Sequence, residues 1–120
     1  MPALAQLRIV SHNSVVFVPI DEVVYLKSEL KYVTVCTANR KYLLEASLKR
    51  LEKGLGDSFL RVHRNCLVSR DYIRGFERVV DDDGHAHWEV LLNGCKEVLV
   101  VSRNHQHVVR DAGVKPHGLV

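Results

Sequence analysis

Apolar and polar residues alternate with a period of two along most of the chain, which is the pattern of half-buried β-strands. β-branched and aromatic residues are frequent in these segments, and turn residues separate them every eight to twelve positions or so. The pattern therefore indicates a mainly β domain without a parallel sheet, because strands and helices do not alternate. Strands are predicted at residues 15–18, 23–26, 32–36, 41–44, 59–62, 73–80, 88–92 and 96–101.

One segment has helical periodicity instead. Leu48, Leu51 and Leu55 fall at positions i, i+3 and i+7, and charged residues occupy the other faces. Ser47 precedes this segment and its hydroxyl is suited to cap the helix, while Gly56 follows it. A helix of about two to three turns is predicted here. A second short helix is predicted from a Ser102 cap through residue 110.

Two turn signals organise the second half of the chain. Asn93-Gly94 is the strongest short hairpin signal, because both turn positions favour a positive φ, and it predicts a tight turn between residues 88–92 and 96–101. The acidic run Asp81-Asp82-Asp83-Gly84 ends the strand before it. Cys36 lies within a predicted strand and Cys95 lies in the strand-like sequence around the Asn93-Gly94 turn, and both are expected to be small core residues.

Composition narrows the class of protein. The 120 residues are 47% hydrophobic and 26% charged, which suits one folded domain and not a disordered segment. No apolar run approaches the roughly 20 residues of a membrane helix, and the N-terminus lacks the features of a secretory signal. Three widely spaced cysteines form no disulfide framework. A cytoplasmic protein without a membrane partner is expected.

Charge is unevenly distributed along the chain. The net charge is only +3, but residues 27–70 carry +6 and the rest of the chain carries −3. Such an asymmetry is typical of a surface that binds a polyanion. The alternative is that some of these charges, notably Lys49, Arg50 and Lys53, simply solvate the outer face of the predicted helix.

Two short polar segments carry candidate DNA-reading residues. His63-Arg64-Asn65 lies between two apolar stretches and would project from the end of a sheet if the chain turns there. An arginine fork matches guanine and an asparagine amide matches adenine, whereas the alternative role of His63 and Asn65 is to satisfy backbone groups in the turn. The second segment is Ser102-Arg103-Asn104, where Arg103 could bind a phosphate or a base edge.

Other functions are weakly supported. His85-Ala86-His87 could share a strand face and bind a metal together, and His105-Gln106-His107 has the same spacing, but neither segment completes a four-ligand shell. Cys66 lies three residues from His63, which does not make a catalytic dyad, and no phosphate-binding glycine loop is present. We therefore expect no enzyme, no cofactor and no metal.

The order of motifs resembles the LytTR DNA-binding domain, the output module of bacterial response regulators of the alginate, autolysin and quorum-sensing type. The resemblance extends from about Ile20 to Val109. His63-Arg64 within the signature and the late Ser102-Arg103 are jointly specific. The matching segments are Ile20-Asp21-Glu22-Val23-Val24-Tyr25-Leu26, Lys31-Tyr32-Val33-Thr34-Val35, Ser47-Leu48-Lys49-Arg50-Leu51-Glu52 and Phe59-Leu60-Arg61-Val62-His63-Arg64-Asn65-Cys66-Leu67-Val68, followed by Ile73 and Val100-Val101-Ser102-Arg103.

The resemblance implies an elongated β-β-β sandwich of about ten short strands with one or two small helices. It also implies sequence-specific binding of double-stranded DNA through loops that enter two successive major grooves, in two-component control of transcription. The expected base readers are Arg64, Arg103, Asn65 and His63. The residues expected to position the DNA backbone are Lys27, Ser28, Lys31, Tyr32, Ser102 and Asn104.

The resemblance also sets expectations for organisation and partners. Residues 1–14 are expected to be a lead-in strand or linker, residues 15–111 the DNA-binding domain and residues 112–120 a flexible tail. The acidic turn and the tail are expected to lie away from DNA. A phosphoacceptor receiver domain usually precedes this family's domain and is absent from this chain, and a homodimer on repeated half-sites is a possible assembly. The alternative is a non-catalytic β-sandwich that binds only proteins.

Overall fold

The computed structural model describes residues 4–112 and confirms the mainly β fold with small helices. The molecule is elongated, with principal extents of 48, 34 and 24 Å. Its ten strands and two α-helices are β1 (Gln6–Val10), β2 (Val15–Pro19), β3 (Val23–Glu29), β4 (Tyr32–Thr37), β5 (Lys41–Leu44), α1 (Leu48–Leu55), β6 (Phe59–His63), β7 (Cys66–Ser69), β8 (Ile73–Val80), β9 (Ala86–Leu92), β10 (Leu99–Val101) and α2 (His107–Asp111).

Three antiparallel sheets build the domain. β1 and β2 form a two-stranded sheet, and β8, β9 and β10 form a three-stranded sheet with β9 in the middle. The five-stranded sheet has the order β5-β4-β3-β7-β6. The five-stranded sheet lies between two hydrophobic cores. One core contains residues of β1, β2 and α1, and the other contains residues of the three-stranded sheet and α2.

Burial on both faces explains the continuous apolar runs of the central strands. In β7, Leu67 packs into the first core, whereas its neighbour Val68 packs into the second, and both side chains are fully buried. In β3, a bulge near Val24 interrupts the pairing with β4, so that Val24 and Tyr25 both pack into the second core. A strand with one face in solvent would have polar residues at alternate positions, whereas these segments are apolar at successive positions.

Helix α1 follows the prediction closely. The Ser47 hydroxyl accepts a hydrogen bond from the backbone N–H of Arg50 at 3.4 Å, which satisfies one free donor of the first turn. Leu48, Leu51 and Leu55 are the buried residues of the helix. Gly56 ends the helix with a φ of 65°, a conformation that favours glycine.

The two-residue hairpin predicted at Asn93-Gly94 is wrong. Strand β9 ends at Leu92 and β10 begins only at Leu99, so residues 93–98 form a longer loop that contains Cys95 outside any strand. Gly94 does have a φ of 84°. However, the Asn93 N–H donates to the Tyr72 carbonyl, and a Cβ at Gly94 would lie 3.2 Å from the Tyr72 ring. The loop is therefore shaped by its contacts with the rest of the fold and not by a local turn.

Glu97 anchors this loop to the five-stranded sheet. Its carboxylate accepts a hydrogen bond from the Tyr25 hydroxyl at 2.7 Å and lies 2.6 Å from the Lys41 ammonium. The hydrogen bond to Lys41 lowers the pKa of Glu97, and the same contact raises the pKa of Lys41. Burial, followed by the hydrogen bond to Glu97, raises the pKa of Tyr25, so its hydroxyl stays protonated and remains a donor.

We expect Glu97→Ala to lower the free energy of unfolding by about 1–2 kcal/mol, because the buried Tyr25 hydroxyl then loses an ionised acceptor. A group whose pKa is lowered by folding stabilises the protein above its unfolded-state pKa and loses that effect as the pH falls. The difference in urea stability between the two proteins should therefore shrink on acidification. Lys96→Ala, one residue away and also exposed, is the control. Equal stability of Glu97→Ala and the parent at neutral pH would contradict the anchoring role.

The predicted Ser102 helix cap is also wrong. The segment begins with a 3-10 turn (Arg103–His105), and α2 starts only at His107. The Ser102 hydroxyl contacts His105 Nδ1 at 2.5 Å and caps no backbone donor. The backbone of Ser102 is extended, as in an ordinary helix cap, but its hydroxyl is engaged by the His105 ring and not by a backbone N–H.

The N-terminal segment contributes a strand to the fold. Within the predicted lead-in, β1 pairs with β2 along its whole length, and Leu7 and Ile9 are buried in the first core. Residues 1–3 and 113–120, including most of the predicted tail, lie outside the described residues. No helix in residues 4–112 is long and apolar enough to cross a membrane.

Candidate nucleic-acid interface

The turn between β6 and β7 presents three of the predicted base readers. β6 ends at His63, β7 begins at Cys66, and Arg64 and Asn65 form the turn between them. The pairing of β6 with β7 is irregular between Arg61 and His63, which leaves the Val62 carbonyl free of the ladder. Arg64 is exposed, and its guanidinium forms no ion pair with any residue in the described part of the chain.

The β3–β4 hairpin lies directly beside this turn. The N–H of Ser28 donates to the carbonyl of Asn65 at 2.8 Å, because β3 pairs with β7 and the two strands reach their ends together. Beyond Ser28 the hairpin tip carries Lys31, whose ammonium lies 5.5 Å from the centre of the Tyr32 ring. Leu30 at the tip is fully exposed and has a φ of 56°, which is unusual for a leucine.

The segment after β10 lies on the other side of the turn. The N–H of Ser102 donates to the freed carbonyl of Val62 at 2.9 Å. Ser102 is half-buried by this contact, while Arg103 and Asn104 are exposed. Two backbone hydrogen bonds thus join three segments that are far apart in the sequence, with the β6–β7 turn in the middle.

Five of the ten predicted site residues line two separate cavities. Lys27, His63 and Asn65 line a groove of about 340 Å³ together with the start of β10. Arg103 and Asn104 line a different cavity of about 450 Å³ between the three-stranded sheet and α2. Arg64 lines neither of these two cavities and is exposed on the turn.

His63 has a structural role as well as a predicted binding role. Its Nδ1 accepts a hydrogen bond from the N–H of Asn65 at 3.2 Å, as the alternative interpretation of this residue proposed. A nitrogen that accepts carries no proton, so in the neutral ring the proton lies on Nε2. His63 therefore closes the turn with one nitrogen and keeps a donor on the other. The side chain of Asn65 makes no such bond within the described residues.

Arg61 supports the turn from behind, a role that the sequence analysis missed. Its guanidinium donates through Nε to Glu52 of α1 at 3.0 Å and through Nη1 to the carbonyl of Arg64. A second nitrogen, Nη2, lies 2.9 Å from the same Glu52 carboxylate. The Arg61 side chain is 21% exposed and the Glu52 side chain 41%, so the pair is partly shielded on the arginine side. Arg61 thus connects helix α1 to the backbone of the β6–β7 turn.

Glu52→Gln tests whether this ion pair supports the turn, because two effects of the substitution predict opposite changes in DNA affinity. Removing a negative charge near the turn should strengthen DNA binding by simple electrostatics. If the Glu52–Arg61 pair holds the turn, we expect affinity for a site selected from a random duplex library to fall about threefold while affinity for unrelated DNA rises. Fluorescence anisotropy with both duplexes measures the ratio, and Glu45→Gln, an exposed carboxylate before α1, is the control. Equal strengthening on both duplexes would contradict a positioning role.

Two groups near the turn have pKa values that are shifted mainly by burial. Burial, followed by the neighbouring charges of His107, Arg61 and His63, lowers the pKa of His105. In contrast, burial raises the pKa of Cys66 to about 12 despite the nearby Lys27 and Arg61. The Cys66 thiol therefore stays protonated at neutral pH, which argues against the nucleophile considered from the sequence.

His85 and His87, at the start of the β9 region, have different partners. His87 bonds to Glu89 at 2.8 Å, whereas His85 precedes the strand and faces Asp81. Asp81, Asp83 and His85 offer ligand atoms within 4.8 Å of one another at the exposed tip of the β8–β9 hairpin. The Asp81 carboxylate already accepts the N–H groups of Asp83 and His85, so the turn itself accounts for this arrangement.

Exposed basic side chains on the β3–β4 hairpin, on the β6–β7 turn and on the segment after β10 make this small β domain a candidate nucleic-acid-binding domain. The model of the LytTr DNA-binding domain matches residues 13–113 of this chain. The chain belongs to this family. A solved LytTr DNA-binding domain of a response regulator from Bacillus cereus has the same fold, with a TM-score of 0.75, 23% identity and coverage of 91% of this chain and 96% of that one.

Two curated bacterial proteins are similar in sequence. The positive alginate biosynthesis regulatory protein of Pseudomonas aeruginosa is 35% identical over 101 residues, which are 83% of this chain and 39% of that protein. The sensory transduction protein LytT of Bacillus subtilis is 37% identical over 63 residues, which are 52% of this chain and 26% of that protein. The chain thus spans well under half the length of these relatives.

Proposed function

We propose that this domain recognises a double-stranded DNA site by sequence and serves as the output module of a bacterial transcription regulator. The observation that carries the proposal is the pair of backbone hydrogen bonds, Ser28 to Asn65 and Ser102 to Val62. These bonds hold the β3–β4 hairpin, the β6–β7 turn and the segment after β10 side by side. Arg64 and Arg103 are both exposed.

Within this surface we assign a role to each predicted residue. Arg64 and Arg103 read base edges, because a guanidinium fork can bond two guanine acceptors at once. Asn65 and His63 add contacts from the middle of the surface, with the Nε2 proton of His63 as a donor. The side chains that we expect to hold the DNA backbone are those of Lys27, Ser28, Lys31, Tyr32, Ser102 and Asn104.

The signal and the assembly are proposed from the relatives. The similar protein of P. aeruginosa is a regulatory protein and that of B. subtilis a sensory transduction protein, and both are longer than this chain. We propose that a receiver domain supplies the signal to this domain and that two copies bind repeated half-sites. The cytoplasm is the compartment that we propose, because bacterial DNA lies there.

Selection of binders from a random duplex library tests the proposed function directly. We expect enrichment of a discrete motif, with binding that weakens steeply as the salt concentration rises, because each phosphate contact releases counterions. A protein-interaction module would enrich no motif and would show no salt-dependent binding to DNA. Sedimentation with duplexes that carry one or two half-sites then shows whether the second copy binds.

A further inference from the structure

The cavity between the three-stranded sheet and α2 has an unusual lining. It measures about 450 Å³ and contains three arginines, Arg78 of β8, Arg103 and Arg110 of α2, around the side chain of Trp88. His107 adds a fourth basic group. Within residues 4–112 no carboxylate lines the cavity, and none of these three guanidiniums forms an ion pair or a side-chain hydrogen bond there.

The position of Arg78 is the most informative. Cross-strand neighbours share a face of a sheet, and Arg78 lies opposite Trp88, which lies opposite Val101. Two residues earlier in β8, Phe76 lies opposite Val90 and packs into the second core. Arg78 therefore lies on the inward face of the sheet, just beyond the end of that core, where another apolar residue would extend it. Here the inward face instead carries a charged fork with no partner.

The nearby carboxylates do not neutralise this cluster. Glu77 and Glu89 lie opposite each other on the other face of the sheet, and Glu89 is already bonded to His87. Asp111 of α2 lines a different groove, on the side of Ile73 and Phe76. Three guanidiniums gathered without a counter-charge repel one another, so an anion that enters between them is attracted by all three.

We propose that this cavity binds a phosphate group, and that in the DNA complex it holds a backbone phosphate beside the base that Arg103 reads. This inference rests on the proposed function. Guanidinium forks match phosphate geometry, and a planar ring beside them excludes water without adding charge. Arg103 belongs both to the reading surface and to this cavity. The DNA footprint would then extend from the three segments to β8 and to the face of α2 at Arg110.

Trp88 makes the test direct, because it is the only tryptophan of the chain and lines the cavity. Its fluorescence is followed while the selected duplex, an unrelated duplex or ATP is titrated into the protein. We expect both duplexes to change the fluorescence. We expect Arg78→Ala and Arg110→Ala each to lower the affinity for both duplexes about fivefold. Each substitution should also reduce the slope of log affinity against log salt by about 0.9.

Two further variants separate the possible explanations. Arg74→Ala removes the same charge from the same strand, about 13 Å along β8 by the usual rise of a strand, and should bind like the parent. Arg78→Lys keeps the charge and should keep the salt slope. Circular dichroism melting confirms that each variant is folded.

The outcomes distinguish a DNA phosphate from a free phosphate ligand. They also distinguish failure of this inference from failure of the proposed function. Saturable quenching by ATP without DNA, abolished by Arg78→Ala, would support the phosphate cavity with a free ligand as its occupant. Parent-like duplex affinity and salt slope in both alanine variants, with no response to ATP, would overturn the inference while leaving the proposed function intact. Failure of the parent to bind any duplex would instead refute the proposed function.

Discussion

Arg64→Ala and Arg103→Ala should each cost the domain about 1–3 kcal/mol of discrimination between its selected site and unrelated DNA, which is about a fivefold to 150-fold loss of preference. The physical reason is that a guanidinium bonds guanine O6 and N7 simultaneously, and no other base pair offers these two acceptors in the same geometry. Both side chains are exposed and neither forms an ion pair within the described residues, so their removal should leave the fold intact.

Lysine variants separate base reading from simple attraction to phosphate. Arg64→Lys keeps the positive charge but loses the fork, so a base reader should lose discrimination while retaining its affinity for unrelated DNA. A phosphate contact should tolerate the same change with little effect. Fluorescence anisotropy on matched and mismatched duplexes, at several salt concentrations, measures both quantities. Arg8→Ala on β1 is the control, because it removes an exposed arginine outside the proposed surface.

The double variant tests whether the two arginines act at separate positions. Arg64 lies on the β6–β7 turn, whereas Arg103 lines the cavity beside α2. Losses at well-separated base pairs are roughly additive in free energy. We therefore expect the double variant to lose the product of the two single fold-changes. Normal preference for the selected site in either single variant would show that the residue in question reads no base.

The sequence predicts those elements whose signals are local. Helix α1 is determined by its three leucines, its serine cap and its following glycine, all within ten residues, and each behaves as expected. The polar turn at Arg64 is recognisable for the same reason, since the strands on both sides are short and apolar. Likewise, the strand over Ile73–Val80 has the predicted bounds.

Elements shaped by distant contacts could not be predicted in this way. The loop after Leu92 follows a different path from the expected tight hairpin because Glu97 bonds to Tyr25 and Lys41, which lie more than fifty residues earlier. Similarly, the N–H of Ser102 bonds to the carbonyl of Val62, forty residues earlier, and the segment after it begins with a 3-10 turn and not with the expected α-helix. A local preference of a fraction of a kcal/mol is overridden when the fold offers several partners at once.

The candidate site shows the same division. Arg64, Asn65 and Arg103 stand out in the sequence because they interrupt apolar segments. Arg61 and Arg78 do not, because alternating charge is expected in any half-buried strand. Only the fold reveals that Arg61 bonds to Glu52 and to the Arg64 carbonyl, and that Arg78 shares a sheet face with Phe76 and Trp88.

Leu67→Ala should lower the free energy of unfolding by about 2–5 kcal/mol, because Leu67 is fully buried in the first core and its truncation leaves a cavity. This would be a large share of the roughly 5–15 kcal/mol that stabilises a small domain. Leu43→Ala on the edge strand β5 is the matched control: that leucine is 61% exposed, and we expect a change within about 0.5 kcal/mol. Urea unfolding curves at one temperature give both values.

Val68→Ala makes this a test of the three-layer arrangement and not only of one side chain. Adjacent residues in a strand point to opposite faces, so Leu67 and Val68 report on the two cores separately. With layers on both sides of the five-stranded sheet, Val68→Ala should also destabilise the domain, by about 1–3 kcal/mol for the smaller side chain. In a two-layer sandwich one face of β7 would meet solvent, and truncation on that face would change stability little. A negligible effect of either substitution would therefore contradict burial on that face of β7, and with it the three-layer arrangement. Val62 belongs to the second core, so without that core the hydrogen bond between Ser102 and Val62 would lack the packing that surrounds it.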